Sequence, residues 1–148
     1  MTAPAPIFFP NVVQTLVQHL QSDWCMAQLE SVPGVDGTVP VPCVVESEVP
    51  NPRPPRLVTL FTIPNAGAQS PVLSTRRIVS QIYEGSEWVT GNLAEKVRGL
   101  IVDSKFRQLG IKHVKVIGEP AKFPTPGEPW RWQFTADVTI RALAGPWS

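Results

Sequence analysis

The clearest pattern of hydrophobic and polar positions lies in residues 130–142, which read WRWQFTADVTIRA. Apolar side chains occupy every second position, and polar or charged side chains occupy the positions between them. A period of two predicts a β-strand with one face in a core and the other outside it. At about eleven residues or more, this strand is roughly twice the usual length.

Three further segments have the composition of strands, namely 56–63, 76–83 and 111–119, and a short strand is expected within 43–48. The segment 56–63, RLVTLFTI, has β-branched and apolar residues at both its odd and its even positions. This composition predicts a strand that is covered on both faces. Pro64 and Gly67 end it.

Two segments have helical periodicity, 10–30 and 86–106. Their apolar residues recur at spacings of three and four, which predicts one amphipathic helix in each segment. The two stripes comprise Val13, Leu16, Val17, Leu20 and Trp24, and Val89, Leu93, Val97, Leu100 and Ile101. Gly91 and Gly99 weaken the second helix, and a helical glycine permits the close approach of another backbone.

The order of elements is α-β-β-β-α-β-β, with the strands grouped and not alternating with helices. This order predicts an α+β fold in which two helices pack on one antiparallel or mixed sheet of four to five strands. We expect one domain over residues 1–148, with tails at 1–10 and 144–148, a proline-rich connector at 32–55, a second one at 119–129, and a flexible loop at 64–75.

Composition narrows the functional classes only slightly. The 148 residues are 43% hydrophobic and 17% charged, with a net charge of +1, so no global charge favours nucleic acid, anionic lipid or an acidic substrate. Cys25 and Cys43 have no metal-binding or redox spacing, which predicts buried thiols in a reducing compartment. No membrane span and no secretory signal are expected, and the protein is expected to originate in the cytosol.

The search for catalytic motifs finds neither a phosphate-binding loop nor a nucleophile or metalloprotease signature. His19 and His113 lack a cysteine or carboxylate at ligand spacing, so His19 is expected to be a satisfied histidine at the surface or edge. Glu46 and Glu48 lie two positions apart and so on the same face of a short predicted strand. This spacing predicts an acidic edge that is exposed to solvent. We therefore expect no catalytic, cofactor or metal site.

Basic residues are the remaining candidates for recognition. Two of these arginines flank a pair of prolines, and two lie at the start of a predicted strand. Two more lie on the polar face of the last strand, together with an aspartate. Such side chains suit charge-complementary contacts with a partner. The predicted partner-interface residues are Arg53, Arg56, Arg76, Arg77, Arg131, Asp137 and Arg141.

Three stretches carry a resemblance to a known family. They are VPNPRPPRLVTLFTIPNAG (49–67), TRRIVSQIYEGSEWVTGNLAEKVRGLI (75–101) and IGEPAKFPTPGEPWRWQFTADVTIRA (117–142). With the first helix they cover most of residues 10–143, and they resemble the tail terminator proteins of long-tailed bacteriophages, particularly those of actinobacterial phages. The likeness lies in the order and spacing of the elements and in their pattern of residue types. The long proline-rich segment 32–55 and the single glycine in 64–75 depart from the plainest family pattern.

The resemblance implies a structural role in the virion, at the head-proximal end of the tail, after assembly in the host cytoplasm. Such proteins form a ring, usually of six subunits, which caps the tail tube, stops its polymerisation and presents a surface to head-completion proteins. Genomic DNA passes through the lumen without specific binding, and neither turnover nor a cofactor is involved.

A ring subunit must bury surface against its neighbours, so the long last strand is expected to extend past the subunit's own core. There its polar face or its edge would be offered to a neighbouring subunit. Two other interpretations remain open from the sequence. One is another virion part, either a head-closure or a tail-tube-related protein. The other is a small enzyme or a nucleic-acid-binding module.

Overall fold

The computed structural model describes residues 7–64, 72–122 and 131–144. The strands are β1 (Ile7–Phe8), β2 (Val44–Glu46), β3 (Leu57–Ile63), β4 (Leu73–Tyr83), β5 (Ile111–Lys122), β6 (Arg131–Arg141) and β7 (Leu143–Ala144). The helices are α1 (Val12–Leu20), α2 (Asp23–Glu30) and α3 (Glu87–Asp103), and one turn of 3₁₀-helix (Ser104–Phe106) follows α3.

Five of the strands form a mixed sheet in the order β2-β3-β4-β6-β5. The pair β2–β3 is parallel, whereas β3–β4, β4–β6 and β5–β6 are antiparallel. The two short strands β1 and β7 pair with each other in a separate antiparallel ribbon. The predicted α+β class, with one mixed sheet and helices packed on it, is confirmed.

The long last strand, β6, lies inside the sheet and not at its edge. It pairs with β4 over its whole length, from Leu73 opposite Arg141 to Tyr83 opposite Arg131. Its other edge pairs with β5 through a register interrupted by bulges. The expectation that β6 extends beyond the subunit's own core or offers a free edge is therefore wrong. Its length is matched by β4 and β5, and its polar face is the one that no described helix covers.

The alternation in β6 separates the two faces of the sheet as predicted. Phe134, Ala136, Val138 and Ile140 are almost fully buried against the helices. The same parity of β4 contributes Ile78 and Ile82 to this core, and β3 contributes Val58 and Leu60. The helices supply the opposing side chains, principally Leu16, Leu20, Cys25, Leu29, Val89, Leu93, Val97 and Ile101.

The predicted helix over 10–30 is two helices, so the described residues form three α-helices where two were predicted. Ser22 has extended backbone angles (φ −60°, ψ 153°), and its Oγ accepts a hydrogen bond from the Cys25 N–H at 3.3 Å. Serine at an N-cap satisfies a backbone donor that a continuous helix would otherwise use, so it starts a new helix here. Trp24 consequently leaves the apolar stripe and is 44% exposed, with the Arg107 guanidinium 3.7 Å from its ring centre.

Several predicted boundaries also change. Residues 7–10 are not a tail, because Ile7–Phe8 pairs with Leu143–Ala144 and Phe9 packs against the core. Strand β4 begins at Leu73, three residues before the predicted start, while residues 65–71 of the predicted loop lie outside the described residues. The second proline connector starts later than predicted, because β5 continues to Lys122. Residues 123–130, which include Trp130, lie outside the described part of the chain, as do residues 1–6 and 145–148.

The two glycines of α3 differ in their surroundings. A Cβ on Gly91 would lie 2.9 Å from Cζ2 of Trp132, whereas a Cβ on Gly99 would meet nothing within 4 Å. Gly91 therefore accommodates the indole ring of Trp132 on the helix-covered face of β6, and not another backbone. This contact brings α3 close to β6 at Trp132.

Candidate interaction surfaces

Arg56 is a structural residue and not part of an exposed interface. Its side chain is fully buried, and its Nε donates to Glu84 Oε2 at 2.7 Å. Its Nη1 donates to the carbonyl oxygens of Leu29 at 3.1 Å and Val32 at 2.8 Å. The guanidinium thus joins the end of α2 to the start of β3 and the end of β4, which corrects its assignment to a partner interface.

Arg77 and Asp137 lie directly opposite each other on β4 and β6, on the face of the sheet that no described helix covers. Arg77 Nε and Nη2 donate to the two oxygens of Asp137 at 3.0 and 3.2 Å. This hydrogen-bonded carboxylate raises the pKa of the Arg77 guanidinium. Asp137 is therefore paired within its own chain, and the alternation of Arg131, Asp137 and Arg141 is not an open row of charges.

The same helix-free face carries two more polar pairs between β4 and β6. Thr75 and Thr139 place their hydroxyl oxygens 3.2 Å apart, and Gln81 Nε2 donates to Gln133 Oε1 at 3.0 Å. Cross-strand pairs of this kind stabilise a sheet and hold its side chains in place. Three polar pairs thus bond across β4 and β6 on the helix-free face, and the buried Val79 lies opposite Thr135 between two of them.

Arg53 and Arg131 both contact Tyr83, with their guanidinium carbons 5.0 and 6.0 Å from the centre of its ring. They line a cleft of about 440 Å³ together with Val49, Pro50 and Asn51. Arg76 lies elsewhere, on the opposite parity of β4. It lines a cleft of about 590 Å³ at the N-terminus of α1, with its guanidinium carbon 5.7 Å from the centre of the Phe9 ring.

Arg141 occupies a fourth place, at the end of β6. It lines a cleft of about 480 Å³ that contains four cationic side chains, Arg141 included, and several apolar ones. The lining residues are Lys105, Phe106, Arg107, Gln108, Leu109, Ile111, Lys112 and Arg141. Among these described lining residues none is acidic. The seven residues predicted at a partner interface therefore do not converge on one site; they occupy a buried position and four separate surfaces.

Phe106 and Leu109 are the candidate contact residues that the sequence analysis missed. Each is 77% exposed, although both are large and apolar. They flank the turn that leads from the 3₁₀-helix into β5, at the cleft that Arg141 lines. The signal was present in the sequence, because neither residue belongs to the apolar stripe of the helix predicted over 86–106. We call Lys105, Phe106, Leu109 and Lys112 the basic corner.

A groove lies at the opposite edge of the sheet, between α1 and β2. It has a volume of about 370 Å³ and is lined mainly by one face of α1, with Val13, Gln14, Val17, Gln18 and Gln21. From the sheet side Glu46 and Ser47 complete it, and Gln21 Nε2 donates to the Val45 carbonyl oxygen at 2.8 Å. Glu46 is the only charged residue among its described lining residues. We call this surface the α1–β2 groove.

One pair of side chains has the composition of a nucleophile and its base. Cys25 Sγ lies 3.6 Å from His19 Nε2, but both side chains are buried, and neither lines any of the clefts above. His19 Nε2 lies 2.9 Å from the Leu100 carbonyl oxygen, which places the proton on Nε2, and Nδ1 is left to accept from Gln108 Nε2 at 3.3 Å. His19 is thus satisfied as expected, but in the core and not at the surface.

The thiols have the opposite character from that of a catalytic cysteine. Burial raises the pKa of the Cys25 thiol and raises the pKa of the Cys43 thiol to about 12. An activated cysteine has a lowered pKa and is accessible to its substrate. The described residues contain no group of three histidine, cysteine or acidic side chains placed to hold a metal ion, and no described helix is long and apolar enough to cross a membrane.

Comparisons with models of protein families and with curated proteins both give no match to this chain.

Proposed function

We propose that this protein is a tail terminator of a long-tailed bacteriophage. Copies of the chain form a ring at the head-proximal end of the tail tube, stop its polymerisation and present the surface on which the head-completion protein docks. The proposal joins two kinds of support. One is the resemblance of residues 10–143 to that family, and the other is the way the sheet is built.

The observation that carries the proposal is the helix-free face of the sheet. Helices cover one face of three long strands, whereas the other face carries the paired groups Thr75–Thr139, Arg77–Asp137 and Gln81–Gln133. Because Arg77 and Asp137 neutralise each other, the centre of this face attracts a polyanion less than an unpaired arginine would. A sheet face whose central arginine is neutralised within the chain suits a ring subunit past which DNA must travel without being held.

The alternative of a small enzyme has less support in the geometry. An active site requires convergent polar groups in a concave, accessible site, whereas the cleft that Arg141 lines carries four cations and the α1–β2 groove carries three glutamines and one glutamate. The only cysteine–histidine contact among the described residues lies in the core, with a thiol whose pKa is raised and not lowered.

The test is a tail-tube polymerisation assay. Tube subunits are polymerised with increasing amounts of the chain, and tube length is followed by light scattering and electron microscopy. We expect growth to stop when the chain amounts to one ring per tube end, far below one copy per tube subunit. The chain should be found at one end of each tube and nowhere along it.

The same assay separates the neighbouring virion functions. A tail-tube-related protein would enter the tube or form long stacks of its own, and a head-closure protein would leave bare tubes growing because it binds only a completed tail. Tube lengths that do not depend on the chain would contradict the proposal. Tight DNA binding that weakens steeply with salt would instead favour a nucleic-acid-binding module.

A further inference from the structure

The basic corner precedes one edge strand of the sheet and the α1–β2 groove borders the other, although the opposite side of α1 reaches the corner's turn, where His19 Nδ1 lies 3.3 Å from Gln108 Nε2. The sheet order places β2 at one edge and β5 at the other, with β3, β4 and β6 between them. Four interstrand spacings of about 4.8 Å separate these two edges by roughly 19 Å. Phe106 and Leu109 remain exposed within one copy, so a contact between the corner and the groove joins different copies of the chain.

The chemistry of the two surfaces is complementary. The corner presents Phe106 and Leu109, each 77% exposed, and carries Lys105 and Lys112 beside them. Within the same cleft Arg107 is already engaged, because its Nε donates to Asp103 Oδ2 at 2.6 Å. The lysines therefore supply the positive charge that the corner offers to a partner.

The groove presents the matching groups. Val13 and Val17 are half-buried on its helix wall, and the described lining residues contain no cation. Glu46 lines the groove, and Glu48 is exposed two residues further along the chain. An apolar pair flanked by lysines thus matches an apolar floor flanked by glutamates, and like charges would not meet across such a contact.

Charged side chains on edge strands also protect a sheet from pairing with other chains. That protection accounts for Lys112 on β5 and Glu46 on β2. It does not account for two large apolar side chains that stand out from the turn before β5, because exposed apolar groups promote association.

We propose that the basic corner of one copy docks in the α1–β2 groove of the next copy, in a head-to-tail contact. Phe106 and Leu109 pack against Val13 and Val17, while Lys105 and Lys112 face Glu46 and Glu48. Because the corner and the groove are different surfaces of the same chain, the contact is heterologous and repeats from copy to copy until the ring closes. The inference rests on the proposed function in one respect, namely that this contact builds the ring.

The test uses two charge-reversed variants of the full chain. The groove variant carries Glu46→Lys and Glu48→Lys, and the corner variant carries Lys105→Glu and Lys112→Glu. In either variant alone, like charges meet at every contact, so self-association should weaken by at least about 100-fold. Sedimentation velocity and native mass spectrometry measure the assemblies at low and high salt.

An equimolar mixture of the two variants is the decisive sample. The reversed groove of one variant then meets the reversed corner of the other, and the unaltered groove and corner meet at the next contact. Assembly should recover in the mixture, with the two chains in equal amounts and in alternation. A chain that carries all four substitutions should also assemble by itself.

Two further variants control for net charge and for the apolar part of the contact. Asp23→Lys with Glu95→Lys makes the same change in net charge as the groove variant, but on the helices α2 and α3, and should leave assembly unchanged. Phe106→Ala keeps all charges and should weaken self-association by roughly tenfold to 100-fold. A circular dichroism melt checks that each variant is folded.

The outcomes decide the interface separately from the function. Assembly of either reversed variant alone, no recovery in the mixture, or a wild-type chain that stays monomeric at about 1 mM would overturn this contact. If the charge swap behaves as described but tubes stay uncapped, the interface stands and the terminator function fails. If both reversed variants cap tubes as the wild type does, the function stands and this interface fails.

Discussion

Replacing Arg56 by methionine tests the assignment of this residue to the core. Methionine has a similar length but cannot donate hydrogen bonds or carry charge. The substitution leaves Glu84 without its partner in a site where the carboxylate side chain is only 13% exposed. It also leaves the Leu29 and Val32 carbonyl oxygens without the two bonds from Nη1.

The expected loss of stability follows from these contacts. Breaking a buried ion pair by removing one partner costs about 3–5 kcal/mol. A smaller term opposes this loss, because Arg56 Nη2 has no hydrogen-bond partner among the described residues and methionine removes that buried donor. We therefore expect a loss of about 3 kcal/mol in the free energy of unfolding, which corresponds to roughly 10 °C in Tm for a chain of this length.

Urea denaturation followed by circular dichroism measures this change. Glu84→Met added to the Arg56→Met variant should cost little more or even restore stability, since the carboxylate is already unpaired there. Arg53→Met is the matched control three residues away; its guanidinium stacks on Tyr83, and its loss should cost about 1 kcal/mol or less. If Arg56→Met unfolds as the wild type does and only self-association is lost, the core assignment is wrong.

Other predictions concern α3 and the buried thiols. Gly99→Ala should stabilise the chain by about 0.5–1 kcal/mol in urea denaturation. Gly91→Ala should destabilise it by about 1–2 kcal/mol, because the added Cβ meets Trp132. Equal effects of the two substitutions would contradict the packing of Gly91 against Trp132. With a pKa of about 12, Cys43 should have a thiolate fraction of about 10⁻⁴ at pH 8, so rapid alkylation of the folded chain would refute its burial. Since this pKa lies above the unfolded value near 9.0, the contribution of Cys43 to stability is present below pH 9 and should be lost as pH rises towards 12; a Cys43→Ala variant would show less of this loss in urea titrations.

The sequence predicted the faces of the strands better than their neighbours. The alternation in β6 identifies Phe134, Ala136 and Val138 as core residues because the side-chain period of a strand is local. That period does not tell which strand lies beside it. The pairing of Leu73 with Arg141 spans 68 positions, so the interior place of β6 depends on contacts that no local pattern encodes.

The break between α1 and α2 was within reach of the sequence. Ser22 followed by Asp23 is typical of a helix start, but the apolar spacing from Leu20 to Trp24 favoured one continuous helix. The structure resolves this conflict through the Ser22 cap and the stacking of Trp24 with Arg107 at the surface. A helix-capping residue such as Ser22 can therefore end a helix even where an aromatic residue, here Trp24, continues the apolar spacing.

The candidate site was harder to predict than the fold. Arg53 and Arg56 have the same proline-rich context, yet one stacks on Tyr83 and the other is buried against Glu84, which follows 28 positions later. Burial of a charge depends on such distant partners. Phe106 was missed for the opposite reason, because a helical pattern seemed to explain its whole segment although the side chain lies outside the stripe.

Electron microscopy of tails assembled with and without this chain tests the terminator function most directly. The account predicts tubes of uniform length that end in one ring of this chain when it is present, and tubes of variable, longer length without that ring when it is absent. Tubes of the same length distribution in both samples, or this chain distributed along the tube wall, would contradict it.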